Sequence, residues 1–130
     1  MTIGIIGGYD VLHKDKKIKE LLFKIKQQFG NLAVIASGGN RTGVEASVKS
    51  IALEFGMNYV EYNPSFSGHN QYSVQPPEYF NKKYHSSHYF DRYKQMMLGI
   101  DRLVVVVDET VKDPAIKAFL KKVKVPTILI

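Results

Sequence analysis

Short apolar runs alternate along the chain with segments in which apolar residues recur every three or four positions. The apolar runs predict five buried β-strands, at residues 2–6, 32–36, 57–62, 103–107 and 126–130. The periodic segments between them predict amphipathic helices, whose starts have the residue types of helix N-caps: Asp15, Thr42, Ser86 or Ser87, and Asp113 before Pro114. Gly30 and Gly56 follow the first two helices and are typical of helix ends.

Strands that alternate with helices predict an α/β fold. The expected architecture is a Rossmann-like three-layer fold with a five-stranded parallel sheet in the order 3-2-1-4-5, built from one domain over residues 1–130. In that order the carboxyl ends of strands 1, 2 and 4 border one crevice. The crevice would bring together three turns: Gly7-Gly8-Tyr9-Asp10, the junction of residues 37–45, and Asp108-Glu109.

The junction after the second strand reads Ser37-Gly38-Gly39-Asn40-Arg41-Thr42-Gly43-Val44-Glu45. Glycines let a backbone approach a ligand closely, and the first N–H groups of a helix attract anions, so the junction can bind phosphate. It can equally be a tight turn between strand and helix. Arg41 is either a phosphate clamp or an exposed arginine, and Glu45 either completes a capping box with Thr42 or acts as a general base or ribose contact.

The segment of residues 63–85 has no periodicity and contains prolines and glycine, and a loop of this length is usually functional or partly disordered. Ten of the fifteen Phe and Tyr residues lie between Asn58 and Tyr93. These rings can stack on a nucleobase, form a subunit interface, or pin the loop to the domain. We expect a mixture, because ten rings are more than one base can use.

Composition narrows the classes of partner. Eighteen Lys and Arg against twelve Asp and Glu give a pI near 9.4, which suits anionic ligands, although most of the lysines belong to the first and last helices. The chain has no cysteine, which excludes thiolate metal sites, and no apolar run of about 18 residues, so we expect no membrane span and a cytoplasmic protein. His85 and His88 lack a clear third ligand, so no metal is expected; with Arg92 they would present donors to an anion.

Three motifs together resemble the SLOG superfamily of Rossmann-like proteins, which includes DprA, the LOG phosphoribohydrolases and the YspA-like group. The YspA-like pattern has a small-residue turn after strand 1, a GGxxxGxD/E junction after strand 2, and a later RNxxM element. The corresponding segments here are Ile5-Ile6-Gly7-Gly8-Tyr9-Asp10, Gly38 to Glu45, and Arg92-Tyr93-Lys94-Gln95-Met96. The resemblance implies a bound nucleotide or nucleotide-derived small molecule in the crevice, no other required cofactor, and often a dimer.

Two positions depart from the family pattern. Tyr93 stands where the pattern has Asn, so a side-chain hydrogen bond is lost or replaced. Asp108-Glu109 stands where many relatives have a second glycine-rich turn, and these carboxylates suit ribose hydroxyls better than phosphate.

Three functions remain open from the sequence. The first is nucleotide binding, with the phosphate on residues 38–43, the ribose near Asp108 or Glu45, and the base on a loop aromatic. The second is an enzyme that cleaves an N-glycosidic bond, with Glu45 acting on ribose or water. DprA-like binding of single-stranded nucleic acid is less favoured, because the lysines lie away from the aromatic segment.

Overall fold

Strands and helices alternate throughout residues 1–8, 15–106 and 114–130, which the computed structural model describes. The strands are β1 (Thr2–Gly7), β2 (Val34–Ser37), β3 (Asn58–Glu61), β4 (Arg102–Val106) and β5 (Thr127–Leu129). The helices are α1 (Asp15–Phe29), α2 (Gly43–Glu54), α3 (Ser87–Gly99) and α4 (Pro114–Lys122), with short 3-10 turns at Gly30–Leu32 and Pro77–Tyr79. Each predicted strand and helix is present. The largest shift is at β2, which starts two residues late because Leu32 belongs to a 3-10 turn and is exposed.

The five strands form one parallel sheet in the order β3-β2-β1-β4-β5, as predicted. The order reverses direction at β1, since β2 pairs with one of its edges and β4 with the other. The carboxyl ends of all five strands therefore lie at one edge of the sheet, where ligands bind in folds of this kind.

Two helices cover each face of the sheet, because right-handed crossovers place α1 and α2 on one side and α3 and α4 on the other. Ile5 packs in the core under α1 and α2, whereas the next residue, Ile6, packs in the core under α3 and α4. Successive side chains of a strand point to opposite faces, so a sheet buried on both faces needs continuous apolar strands. That requirement explains why the strands appear in the sequence as unbroken apolar runs.

Glycines end the first two helices, but two of the predicted side-chain caps, at Thr42 and Ser86, form no capping hydrogen bond. Gly30 (φ 55°) and Gly56 (φ 67°) adopt the left-handed conformation expected after a helix. Thr42 occupies the N-cap position of α2 without a side-chain capping bond, and so does Ser86 at α3. The capping box fails because the Glu45 carboxylate binds Gly38 N–H instead. Asp113 lies outside the described residues.

The segment of residues 63–85 folds back against β3. Glu61 N–H donates to the carbonyl of Tyr72 (2.8 Å), and Val74 N–H donates to the carbonyl of Glu61 (2.9 Å). Further along, Lys82 N–H donates to the carbonyl of Ser65 (3.0 Å). These hydrogen bonds hold the segment beside the carboxyl ends of β2 and β3. No helix in the described parts of the chain is long and apolar enough to cross a membrane.

Candidate functional site

A buried carboxylate holds one side of the turn that connects β2 to α2. Glu45, in the first turn of α2, has no exposed surface. Its Oε1 accepts a hydrogen bond from Gly38 N–H, and its Oε2 accepts one from Asn40 Nδ2 (2.7 Å). Glu45 therefore fixes the backbone of the turn at Gly38 and the side chain at Asn40.

Arg92 binds the same turn from α3. The residue is 1% exposed, and its guanidinium donates to the Gly38 carbonyl (2.6 Å) and to Asn40 Oδ1 (2.8 Å). Both ends of the Asn40 amide are thus engaged, its nitrogen by Glu45 and its oxygen by Arg92. The rigid donor fork of an arginine suits this role, because it can bind two acceptors in one plane.

The Tyr93 hydroxyl joins the hydrogen bonds around Glu45. Its hydroxyl donates to Glu45 Oε2 (3.0 Å) and accepts from the Arg92 guanidinium (3.2 Å). The ring is fully buried. The hydroxyl therefore links the carboxylate on α2 to the guanidinium on α3, as Asn40 also does.

A chain of hydroxyls holds the other side of the turn. Gly39 N–H donates to Ser37 Oγ (3.1 Å), which lies 2.6 Å from the Tyr59 hydroxyl. Tyr59 in turn donates to Glu61 Oε1 (3.2 Å). Burial raises the pKa of Tyr59 well above its ordinary value, so this hydroxyl keeps its proton and stays a donor. The turn is consequently connected to a second buried carboxylate, at the end of β3.

The Glu61 carboxylate accepts hydrogen bonds from side chains of β3, α2 and the loop. Besides Tyr59, its carboxylate accepts from Asn63 Nδ2 and Asn70 Nδ2 (3.0 Å each) and pairs with Lys49 Nζ at 2.8 Å. Burial alone would raise the pKa of Glu61, but the hydrogen bonds from Lys49, Asn63 and Asn70 outweigh burial and hold the pKa below its usual 4.5. Glu61 is therefore a charged residue that ties the loop to the sheet.

The close approach of these side chains explains the glycines of the junction. A Cβ on Gly38 would collide with Glu45 Oε1, and a Cβ on Gly39 would collide with Asn63 Nδ2. Gly39 also has φ 72°, which favours glycine. At β1, a Cβ on Gly7 would lie 2.7 Å from Val44, so Gly7 lets α2 pack against the strand.

Only part of the turn can still bind an anion. The N–H groups of Gly38 and Gly39 already donate to Glu45 and Ser37. No hydrogen bond within the described residues uses the N–H groups of Asn40, Arg41 and Thr42. The unused backbone donors of the turn therefore include those of residues 40–42, directly before α2.

The turn borders a cleft of about 710 Å³ at the carboxyl ends of β2 and β3. One side of the cleft is formed by Gly39 to Thr42 and Lys49, and the other by loop residues that include Asn63, Phe66 and Asn70. Arg41 is exposed and forms no ion pair within the part of the chain that the structure describes. Arg41, Lys49 and Glu61 give the described lining a net positive charge.

Aromatic rings form one end of the cleft. Phe66 and Tyr89 both line it and contact each other edge to face, with ring centroids 5.3 Å apart. Tyr84 packs on Phe66 at 5.0 Å, and the His88 ring stacks on Phe66 at 6.0 Å. Tyr59 and Tyr93 are buried, whereas Phe66 and Tyr89 line the cleft. A role of these rings in stacking on a base or in a subunit interface stays a prediction.

Two further predicted site glycines, Gly8 and Gly43, lie next to β1 and α2. Gly8 directly follows β1, and its carbonyl accepts a hydrogen bond from Val44 N–H (3.3 Å); Gly43 (φ 76°) begins α2. Tyr9, Asp10, Asp108 and Glu109 lie outside the described residues, so the part of the predicted crevice between β1 and β4 is not described.

The two histidines before α3 have local contacts. The Nδ1 atom of His85, an exposed residue, accepts a hydrogen bond from Ser87 N–H (3.1 Å) and contacts Ser87 Oγ (2.8 Å). His88 Nδ1 is buried and has no hydrogen-bond partner among the described residues. Neither histidine lines the cleft directly, although His88 supports Phe66. In the described ranges no three His, Asp or Glu side chains are grouped to hold a metal ion.

The residues around Glu61 were not predicted from the sequence. Lys49 appears in the sequence as one more helix lysine, and Asn63 and Asn70 as ordinary loop residues. The available signal was Glu61 itself, an acidic residue at the end of an apolar strand, where an unpaired charge would be costly to bury.

Comparison with known proteins gives no relative on which to base a function. Neither a scan against protein-family models nor a search of curated proteins finds a match to this chain. The likeness to the SLOG superfamily therefore stays a prediction from the three motifs.

Proposed function

We propose that this protein binds a nucleotide or nucleotide-derived small molecule in the cleft at the carboxyl ends of β2 and β3. The observation that carries the proposal is the combination of Arg41, an exposed cation, with the unused N–H groups of residues 40–42 at the start of α2, all beside one cleft. Helix N-termini and arginines both favour phosphate groups. A phosphate bound there would use the second half of the junction, since Gly38 and Gly39 N–H are engaged.

The aromatic rings at one end of the cleft offer a surface on which a nucleobase can stack. Phe66 and Tyr89 present ring surface on the side of the cleft formed by the loop and α3. Stacking of a base on an aromatic ring contributes about 1–3 kcal/mol and tolerates any base. The ligand would span the cleft with its phosphate at Arg41 and its base at Phe66 or Tyr89.

The enzymatic alternative has less support than binding. Cleavage of an N-glycosidic bond by Glu45 would require its carboxylate to reach ribose or water, yet Glu45 is wholly buried and accepts hydrogen bonds at both oxygens. Single-stranded nucleic acid binding also has less support, because the lysine-rich helices α1 and α4 cover opposite faces of the sheet. The cytoplasmic location and the dimer stay predictions.

A thermal-shift screen with nucleoside mono-, di- and triphosphates tests the proposal. A ligand at about 100 times its Kd adds roughly 2.7 kcal/mol to the free energy of unfolding, which raises the melting temperature. Arg41→Gln should reduce that shift without changing the melting temperature of the free protein, because Arg41 is exposed. Arg102→Gln is the matched control: Arg102 is also exposed, but it begins β4 at the opposite edge of the sheet.

The outcome that contradicts nucleotide binding is a screen in which no nucleotide raises the melting temperature. A shift that Arg41→Gln and Arg102→Gln reduce equally would contradict the phosphate position. Release of free base from a bound nucleotide would instead favour the enzyme, provided that the release is lost in Glu45→Gln variants that still fold.

A further inference from the structure

Lys49 is a second cation on the same side of the cleft as Arg41. It belongs to α2 and lines the 710 Å³ cleft together with Gly39, Asn40 and Arg41. It also lines an adjoining hollow of about 380 Å³, again with Gly39, Asn40 and Arg41. The two cations therefore flank the end of the turn whose N–H groups are unused.

The ammonium of Lys49 is held in place. Its Nζ lies 2.8 Å from Glu61 Oε1 and 4.8 Å from the centroid of the Tyr72 ring. The side chain is 37% exposed, so it is reachable from the cleft. An ammonium has three N–H donors, and Glu61 and the ring face occupy two, which leaves one for a ligand. Because the side chain is already ordered, a ligand would lose less conformational entropy in recruiting it.

The arrangement of charge indicates how many phosphates the cleft can bind. Arg41 and the N–H groups of residues 40–42 offer donors to one phosphate group. A second, adjacent phosphate adds negative charge, which a further cation beside Arg41 would stabilise. We infer that Lys49 binds this second phosphate, and that the ligand class is a nucleotide with a diphosphate group; the inference rests on the proposed function.

Glu61 limits the strength of this second contact. Its carboxylate shares the Lys49 ammonium and would repel a nearby phosphate, so the contact is weaker than one with an uncompensated lysine. One charge-assisted hydrogen bond corresponds to roughly tenfold in affinity. A diphosphate should therefore bind about tenfold more tightly than the monophosphate of the same nucleoside.

Isothermal titration calorimetry without divalent cations tests the inference, using AMP with ADP, GMP with GDP, CMP with CDP and UMP with UDP. The wild-type protein should prefer the diphosphate by about tenfold. Lys49→Gln should abolish that preference, because the diphosphate loses more affinity than the monophosphate, whereas Lys49→Arg should keep it. Lys24→Gln is the matched control, because it makes the same change in net charge on the exposed side of α1.

Two results overturn the inference while leaving the phosphate position intact. One is equal affinity of the wild-type protein for mono- and diphosphates, and the other is an equal loss of both affinities in Lys49→Gln. If Lys49→Gln fails to fold without its pairing to Glu61, the wild-type comparison and Lys49→Arg decide the question. Failure of every nucleotide to bind the wild-type protein would overturn the proposed function itself.

Discussion

The substitution Glu45→Gln is the sharpest test of how the glycine turn is held. Gln has the size of Glu but only one acceptor oxygen, and its NH₂ group is a donor. Glu45 accepts hydrogen bonds from Gly38 N–H at one oxygen and from Asn40 Nδ2 and Tyr93 Oη at the other. In either orientation of the new amide, its NH₂ group therefore faces a donor of the protein.

The size of the effect follows from the hydrogen bonds that are lost. A hydrogen bond to a charged group contributes about 1.5–3 kcal/mol, and a buried donor left without an acceptor costs about 1–3 kcal/mol. The Arg92 guanidinium, 1% exposed, also loses a nearby negative charge. We expect Glu45→Gln to lower the free energy of unfolding by about 3 kcal/mol, which corresponds to a fall in Tm of roughly 10 °C for a chain of this length.

Urea unfolding at pH 7, followed by circular dichroism, measures this change. Glu54→Gln is the matched control, because Glu54 ends the same helix, is exposed, and should change the free energy of unfolding by less than about 0.5 kcal/mol. A loss below about 1 kcal/mol for Glu45→Gln, or one equal to that of the control, would refute the reasoning. It would mean that the carboxylate contributes little to the stability of the turn.

The other predictions concern the two sides of the turn and can be measured by the same urea unfolding. Tyr93→Phe should cost about 1–2 kcal/mol, because Glu45 loses the hydroxyl donor, and an unchanged stability would contradict that link. Gly56→Ala should cost about 1–2 kcal/mol for its positive φ alone, whereas Gly39→Ala should cost at least about 1 kcal/mol more through crowding; equal losses would exclude crowding. The wild-type protein should lose more stability than Glu61→Gln between pH 7 and pH 3, and parallel losses would contradict a charged Glu61.

The direction of the pH effect follows from the lowered pKa of Glu61. In the unfolded chain this carboxyl takes up a proton near its ordinary pKa of 4.5, whereas in the folded protein hydrogen bonds from Lys49, Asn63 and Asn70 delay protonation to lower pH. The unfolded state therefore binds more protons as pH falls below about 4.5. The stabilisation is complete above that pH and is lost as pH falls through the folded-state pKa.

The fold was predictable because each signal was local or followed from chirality. Unbroken apolar runs mark strands that are buried on both faces, and Gly30 and Gly56 mark helix ends by their backbone freedom. Right-handed crossovers then leave few strand orders. None of these inferences requires knowledge of where an individual side chain points.

The site was predictable only in outline, because side-chain partners depend on tertiary packing. The local pattern of Thr42 and Glu45 favours a capping box, but the fold offers Glu45 a buried N–H at Gly38 and a hydroxyl at Tyr93. Arg92 is separated by more than fifty residues from the carbonyl that it binds. The role of Glu61 depends on the loop, which brings the side-chain amides of Asn63 and Asn70 to its carboxylate at the end of β3.

Amide NMR spectra of isotopically labelled protein locate the bound ligand residue by residue. On titration with the nucleotide that gives the largest thermal shift, we expect the strongest chemical-shift changes at residues 39–42 and at Phe66 and Tyr89. The amides at the start of β4, around Arg102, should not move. Absence of any change at saturating nucleotide, or changes centred on the lysine-rich helices α1 and α4, would contradict a nucleotide site at the junction of β2 and α2.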